Sequence, residues 1–141
     1  MKKIFAVQDQ TVALDLVLLC MRIVVGYAFI LHGWGKIQSP FTWMGSESPV
    51  PTVFQALAAI AEFGGGFSLI LGLLTRLGAL GIDCNMMVAV FMHRFVMGDP
   101  FVNATGGRSY ELAVAYLLIA LLLVVVGPGR FSLDRRIFGR A

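Results

Sequence analysis

Four long apolar stretches dominate this sequence and leave little of it for anything else. They cover residues 13–33, 53–74, 77–97 and 110–126. A helix that crosses the hydrocarbon core of a bilayer needs about 20 mainly apolar residues. We therefore predict an all-α fold, an integral membrane four-helix bundle that forms one domain over residues 1–141. The loops between the stretches are too short to hold a soluble catalytic domain.

The composition agrees with a lipid environment and excludes several other functions. Only 13% of the residues are charged and 58% are hydrophobic, whereas soluble domains carry about 25% charged residues. Membrane lipid is therefore the expected surrounding. The net charge of +3 is small and the arginines lie at the ends of apolar stretches, so we expect no nucleic-acid partner. Cys20 and Cys84 form no Cys-x-x-Cys motif, which leaves dithiol exchange without an obvious site.

The positive residues are distributed unevenly between the two sides that four passes would create. One side holds both termini and the turn at Thr75 and Arg76, and its cations are Lys2, Lys3, Arg76, Arg130, Arg135, Arg136 and Arg140. The other side holds Lys36, Arg94 and Arg108. Because Lys and Arg concentrate in cytoplasmic loops, we predict that both termini are cytoplasmic and that the two long loops face outward.

Ionisable residues inside the apolar stretches are expensive in a membrane and are site candidates by default. A helix rises about 1.5 Å per residue. Counted from the inner ends of their stretches, Arg22 and Glu62 are therefore expected at a similar depth in the membrane. We predict a buried Arg22–Glu62 ion pair, with Asp83 close enough to share the guanidinium. Such a pair serves a reaction or only fixes helix register. A seven-residue spacing also predicts one inward face, formed by Asp15, Arg22, Phe29 and Lys36.

A second polar set lies near the outer ends of the stretches. It contains His32, Lys36, His93, Arg94, Tyr110 and Glu111. One interpretation is a quinone head-group site at His32, Lys36, His93, Tyr110 and Glu111, where His or Tyr donates to a carbonyl and a carboxylate exchanges protons. The alternatives are interfacial hydrogen bonding, or a haem held between the two histidines. A metal site is not expected, because no Glu-x-x-His spacing occurs. We expect the Asn85 side chain to form a hydrogen bond to a neighbouring helix.

At these positions the sequence resembles the DoxX family of small membrane proteins. The matching segments are Arg22–Gly26, His32–Lys36, Glu62–Gly65, Gly72–Arg76, Asn85, His93, Gly106-Gly107, Tyr110–Leu112 and Gly127–Arg130. The resemblance implies a four-helix protein of the bacterial inner membrane. The family name comes from similarity to the small subunit of an archaeal thiosulfate:quinone oxidoreductase, and some relatives are linked to membrane redox complexes that defend against oxidative stress. No catalytic residue carries over.

Three functions follow as alternatives. The first is a quinone-linked, redox-associated subunit that acts with another membrane or peripheral protein. The second is a non-enzymatic structural or assembly subunit of a larger membrane complex, in which the buried charges only hold the helices together. The third is a transporter of a small solute or protons through the polar core. The family resemblance and the outer polar set favour the first.

Overall fold

Helices make up the ordered framework of the chain. The computed structural model describes residues 5–45 and 47–140. Its principal helices are α1 (Val12–Gln38), α2 (Thr52–Leu71), α3 (Thr75–Phe91), α4 (Glu111–Val126) and the short α5 (Leu133–Phe138). A π-helical turn, Met92–Val96, continues α3. Within the described ranges no β-strand forms, although Val7 and Arg140 make an isolated bridge. The all-helical prediction is confirmed.

Three helices in the described part of the chain are long and apolar enough to cross a membrane. They are α1, α2 and α3 together with its π-helical turn. The fourth, α4, is also apolar but has 16 residues. Two predicted ends were displaced: α1 continues to Gln38 instead of ending at residue 33, and α2 ends at Leu71 instead of residue 74. Gly72 ends α2 because it adopts a left-handed conformation, with φ of +64°.

Helices α1 and α2 approach each other through glycines. A Cβ added to Gly66 would lie 2.7 Å from the carbonyl oxygen of Gly26, and a Cβ added to Gly26 would lie 2.7 Å from that of Gly66. Further along, a Cβ on Gly33 would lie 2.6 Å from the backbone nitrogen of Phe63. Small residues allow membrane helices to pack with their backbones close together. These glycines therefore allow α1 and α2 to pack closely.

The apolar core joins these two helices to α3 and α4. Phe29 of α1 packs edge-on against Tyr116 of α4, with 5.0 Å between ring centroids. The core includes Leu18, Val25, Phe29, Leu69, Ala79, Ile82, Met86, Ala120 and Leu123. Its members come from all four helices, so these helices bury one continuous interior. The remaining apolar surface, much of it large exposed side chains, faces outward as expected for contact with lipid.

The predicted inward face of α1 is confirmed. Asp15, Arg22 and Phe29 are each only 1% exposed, and the side chain of Lys36 is 25% exposed. Two ends of the molecule can therefore be distinguished along this face. The tail end holds residues 127–140, and the loop end holds the connections between α1 and α2 and between α3 and α4. Asp15 and Arg22 belong to the tail end, and Lys36 belongs to the loop end.

The tail, residues 127–140, folds back against α1 and the α2–α3 turn and is held there by hydrogen bonds. The Asp15 carboxylate accepts a hydrogen bond from the Arg130 backbone nitrogen at 2.9 Å and pairs with its Nε at 2.5 Å. The Asp134 carboxylate accepts from the backbone nitrogens of Leu74 and Thr75, at 2.6 and 2.9 Å. These bonds cap the start of α3, whose first N–H groups have no partner within the helix. The tail therefore ties α1 to the α2–α3 turn.

Candidate functional site

The acidic residue of α2, Glu62, lies in the middle of that helix. The residue is 3% exposed. Its Oε1 atom accepts hydrogen bonds from Lys36 Nζ at 2.5 Å and from Asn85 Nδ2 at 2.6 Å. Its Oε2 atom is buried and accepts no hydrogen bond from the residues described. Buried polar atoms almost always have a partner, so Oε2 is an acceptor available to something other than these side chains.

Three helices bring these groups together. The close approach of Gly33 to Phe63 places the next turn of α1, with Lys36, against the turn of α2 that carries Glu62. On the other side of α2, a Cβ on Gly65 would touch Ile82 of α3 at 3.0 Å, and Asn85 lies one turn beyond Ile82. The glycine contacts of α2 therefore position donors from both neighbouring helices on one carboxylate oxygen.

The Trp43 ring covers part of the site at the loop end. Lys36 Nζ lies 4.4 Å from the centroid of the Trp43 ring, a distance at which a cation and an indole attract each other. The Trp43 Nε1–H donates to the Gln55 carbonyl oxygen at 2.9 Å. The Gln55 side chain is buried, donates to the Val50 carbonyl at 2.9 Å and accepts from the Met44 nitrogen at 3.2 Å. The loop that holds Trp43 is thus fixed to α2.

The chemistry of this group suits a small ligand that accepts hydrogen bonds and exchanges a proton. Lys36 has three N–H donors and Asn85 has two, and each residue donates one hydrogen bond to Glu62. The free Oε2 atom can take or give a proton, and the indole offers a flat apolar surface. Since Lys36 is partly exposed, the site opens at the loop end. Among the described residues no group of three His, Cys, Asp or Glu side chains could hold a metal ion.

The predicted ion pair between Arg22 and Glu62 is wrong. Arg22 directs its guanidinium at backbone carbonyls: Nε donates to Leu69 at 2.9 Å, Nη1 to Pro128 at 2.6 Å and Nη2 to Phe131 at 3.0 Å. The depth count assumed that the inner ends of the first two helices are level. In fact α1 starts well beyond the end of α2, so Arg22 lies beside the last turn of α2, where the tail supplies acceptors.

Asp83 does not share the Arg22 guanidinium either, because every Arg22 hydrogen bond in the described structure goes to a backbone carbonyl. Asp83 lies on the buried face of α3 with Ala79, Ile82 and Met86 and is 8% exposed. Its Oδ1 atom is buried and accepts no hydrogen bond from the described residues. The stagger that separates Arg22 from Glu62 also removes Arg22 from this level of the interior.

The five residues of the predicted quinone site do not share one set of contacts. Only Lys36 belongs to the Glu62 site. His93 Nδ1 bonds to Asp99 Oδ2 at 2.7 Å, and the Tyr110 ring packs on Phe101 with 5.3 Å between centroids. The other two, His32 and Glu111, are exposed, and the imidazole of His32 lies 6.2 Å from the Phe29 ring. Similar depth was therefore a poor guide, because these side chains leave their helices in different directions.

Sequence reasoning identified part of the actual site and missed the rest. The expected helix-to-helix bond of Asn85 is confirmed, with Glu62 as its acceptor. Trp43 and Gln55 lie outside the predicted site, although a glutamine inside an apolar stretch needs partners as much as a charged residue does. The seven-residue spacing puts Lys36 on the inward face of α1, and this is the signal in the sequence that Glu62 has a closer cation than Arg22.

Comparison with known proteins adds a family match and several relatives. The model of the DoxX family matches residues 17–94. A Haemophilus influenzae protein of uncharacterized function is 37% identical over 120 residues, covering 84% of this chain and 88% of the relative. An uncharacterized membrane protein of Mycobacterium tuberculosis is 31% identical, with 87% of this chain and 82% of the relative covered. Inner membrane protein YqjF of Escherichia coli is 30% identical, with 86% and 92% covered. No solved structure matches significantly.

Proposed function

Because the chain belongs to the DoxX family and is a multi-pass protein of the bacterial inner membrane, we propose that it is a quinone-linked, redox-associated subunit acting with a partner protein. The observation that carries this proposal is the buried Oε2 atom of Glu62, which has no hydrogen-bond partner in the described structure. The resemblance to the small subunit of a thiosulfate:quinone oxidoreductase supplies the ligand class.

The proposed quinone lies with one carbonyl oxygen near the spare N–H groups of Lys36 and Asn85 and with its ring against Trp43. Reduction of a quinone to a quinol takes two electrons and two protons. The electrons come from a redox protein that docks on the chain, and the protons come from water at the loop end. Glu62 passes one of them through its Oε2 atom, as a positioned carboxyl group does in general acid–base transfer. Lys36 stabilises the carboxylate that remains afterwards.

We propose further that α4 is a fourth membrane pass and that the tail end faces the cytoplasm. With 16 residues, α4 is about 24 Å long, somewhat short of a bilayer core of about 30 Å. Its packing in the same core as the three longer helices supports a full crossing. The tail end carries Arg76, Arg130, Arg135, Arg136 and Arg140, so the positive-inside tendency supports a cytoplasmic tail.

A reporter fused to the carboxyl terminus tests this orientation. We expect a green fluorescent protein fusion to fluoresce and an alkaline phosphatase fusion to be inactive, because the first folds in the cytoplasm and the second requires export. The reverse pair of results would contradict the orientation. A phosphatase inserted after Gly45, in the first long loop, provides the matched control and should be active.

Quinone affinity of the purified protein tests the site. Trp34 and Trp43 are the two tryptophans of the chain, so a Trp34→Phe background makes Trp43 the fluorescent reporter. We expect short-chain ubiquinone to quench it saturably. In the same background Lys36→Met should raise the Kd by at least roughly tenfold, because a charge-assisted hydrogen bond contributes about 1.5–3 kcal/mol.

Arg94→Met is the matched control, since Arg94 is an exposed cation at the loop end that is not part of the Glu62 site. Its Kd should stay within twofold of the background. Linear, non-saturating quenching, equal in all three proteins, would mean that quinone only partitions into detergent. That result would refute the proposed site.

A structural or assembly role is the second candidate, and one observation favours it. The Lys36, Glu62 and Asn85 side chains connect three helices through a single oxygen, which is also how a purely structural polar network would look. This candidate predicts that Glu62→Gln lowers stability without changing the turnover of any complex that co-purifies with the chain. The quinone proposal predicts that turnover falls while assembly persists.

A further inference from the structure

A cleft at the tail end is separate from the Glu62 site. It lies between α1, the last turn of α2 and the returning tail, and has a volume of about 370 Å³. Its apolar walls are Leu19, Ile70, Leu71, Phe131 and Leu133, and its polar lining comes from Arg22, Arg130, Ser132 and Arg136. The cleft therefore combines a cationic lining with hydrocarbon walls.

The charges around the cleft leave one cation uncompensated. Arg22 is saturated by backbone carbonyls, and Arg130 is paired with Asp15. Asp134, the other carboxylate nearby, is buried and accepts from two backbone nitrogens. Arg136 is exposed and forms no ion pair or side-chain hydrogen bond with any described residue. Three arginines against two carboxylates give the cleft a net positive charge with Arg136 as its free donor.

We propose that this cleft binds the headgroup of an anionic phospholipid. The phosphate would pair with Arg136, and Arg130, which also lines the cleft, would add its charge. The acyl chains would leave the cleft along Leu71 and Phe131, which are 49% and 43% exposed. Basic pockets between helices at a membrane surface are a recognised way of holding acidic lipid headgroups.

The apolar walls identify a lipid as the occupant instead of a free anion. A soluble phosphate gains nothing from Leu19 or Leu71, whereas a lipid covers them and keeps its phosphate at the level of the arginines. The position supports this choice, because the cleft lies at the end of α2, where a membrane-spanning helix meets the headgroup region. The inference is independent of the quinone proposal, since the two sites are at opposite ends of the molecule.

Native mass spectrometry of the delipidated full chain in detergent tests the lipid proposal. The probes are phosphatidylglycerol and phosphatidylcholine with identical acyl chains. We expect phosphatidylglycerol to bind more tightly, and Arg136→Gln to weaken its binding about fivefold, the effect of losing one cation near a lipid surface. Arg140→Gln is the matched control: Arg140 is an exposed tail arginine that pairs with Asp9 and is not part of the cleft. Its affinity should stay within twofold.

Three results would overturn the proposal. If both lipids bind equally, or if the two variants weaken phosphatidylglycerol binding to the same extent, the binding reflects overall charge and not the cleft. If inorganic phosphate at millimolar concentration displaces phosphatidylglycerol from the wild-type chain, the site recognises a free anion. Unchanged binding in the presence of phosphate supports a lipid site.

Discussion

An Arg22→Met variant will be at least about 3 kcal/mol less stable than the wild-type protein, because methionine removes hydrogen bonds from a charged donor, each worth roughly 1.5–3 kcal/mol. Arg22 bonds to the carbonyls of Leu69 and Ile70 at the end of α2 and to those of Pro128 and Phe131 in the tail. The substitution leaves these acceptors in a buried place without a donor. The melting temperature in detergent should fall by about 10 °C.

Two further variants separate the donor geometry of Arg22 from its charge. Arg22→Lys keeps the positive charge but cannot reproduce a planar fork with five N–H groups. We therefore expect its melting temperature to lie between those of wild type and Arg22→Met. Arg94→Met removes an exposed arginine at the loop end and should melt within about 1 °C of wild type, as exposed substitutions usually do. A wild-type melting temperature for Arg22→Met would show that the tail is not fastened through this residue.

A Gly66→Ala variant will also lose stability, by about 2–3 kcal/mol, because overpacking a tight interface has costs of this size. The new methyl group would lie 2.7 Å from the Gly26 carbonyl oxygen and 2.8 Å from the Ile30 nitrogen. Both neighbours are backbone atoms that no rotamer change can move away. Helices α1 and α2 would have to separate, which also pulls Lys36 away from Glu62.

Gly64→Ala is the control, and we expect it to raise stability where Gly66→Ala lowers it. A Cβ at Gly64 meets only the Ile60 side chain, at 4.0 Å, so alanine should raise helix stability by up to about 1 kcal/mol. The measurement is the melting temperature of both variants in one detergent. Equal shifts for the two substitutions would contradict the close approach of α1 and α2 at Gly66.

The sequence allowed the membrane class and the inward face of α1 to be predicted because both depend on strong local signals. Apolar length identifies membrane-spanning helices directly. The seven-residue spacing of Asp15, Arg22, Phe29 and Lys36 identifies the face, because placing its three charged residues toward lipid would be costly.

The site itself could be predicted only in part, and the reason is the longitudinal stagger of the helices. Composition gives the length of a helix but not its position along the axis of the neighbouring helix. The glycine contacts of α1 and α2 set this register, and they move Arg22 one turn beyond Gly66, where it reaches the end of α2. The tail, a basic segment without apolar length, gave no sign that its carbonyls would surround a buried guanidinium.

The central claim is that a quinone binds against Glu62, and photolabelling with an azidoquinone followed by peptide mass spectrometry tests it most directly. The account predicts labelling of Trp43, Gln55 or neighbouring residues around Lys36 and Asn85, prevented by excess short-chain ubiquinone and reduced in Lys36→Met. Labels confined to lipid-facing residues such as Tyr27 or Phe95, and unaffected by excess ubiquinone, would contradict it.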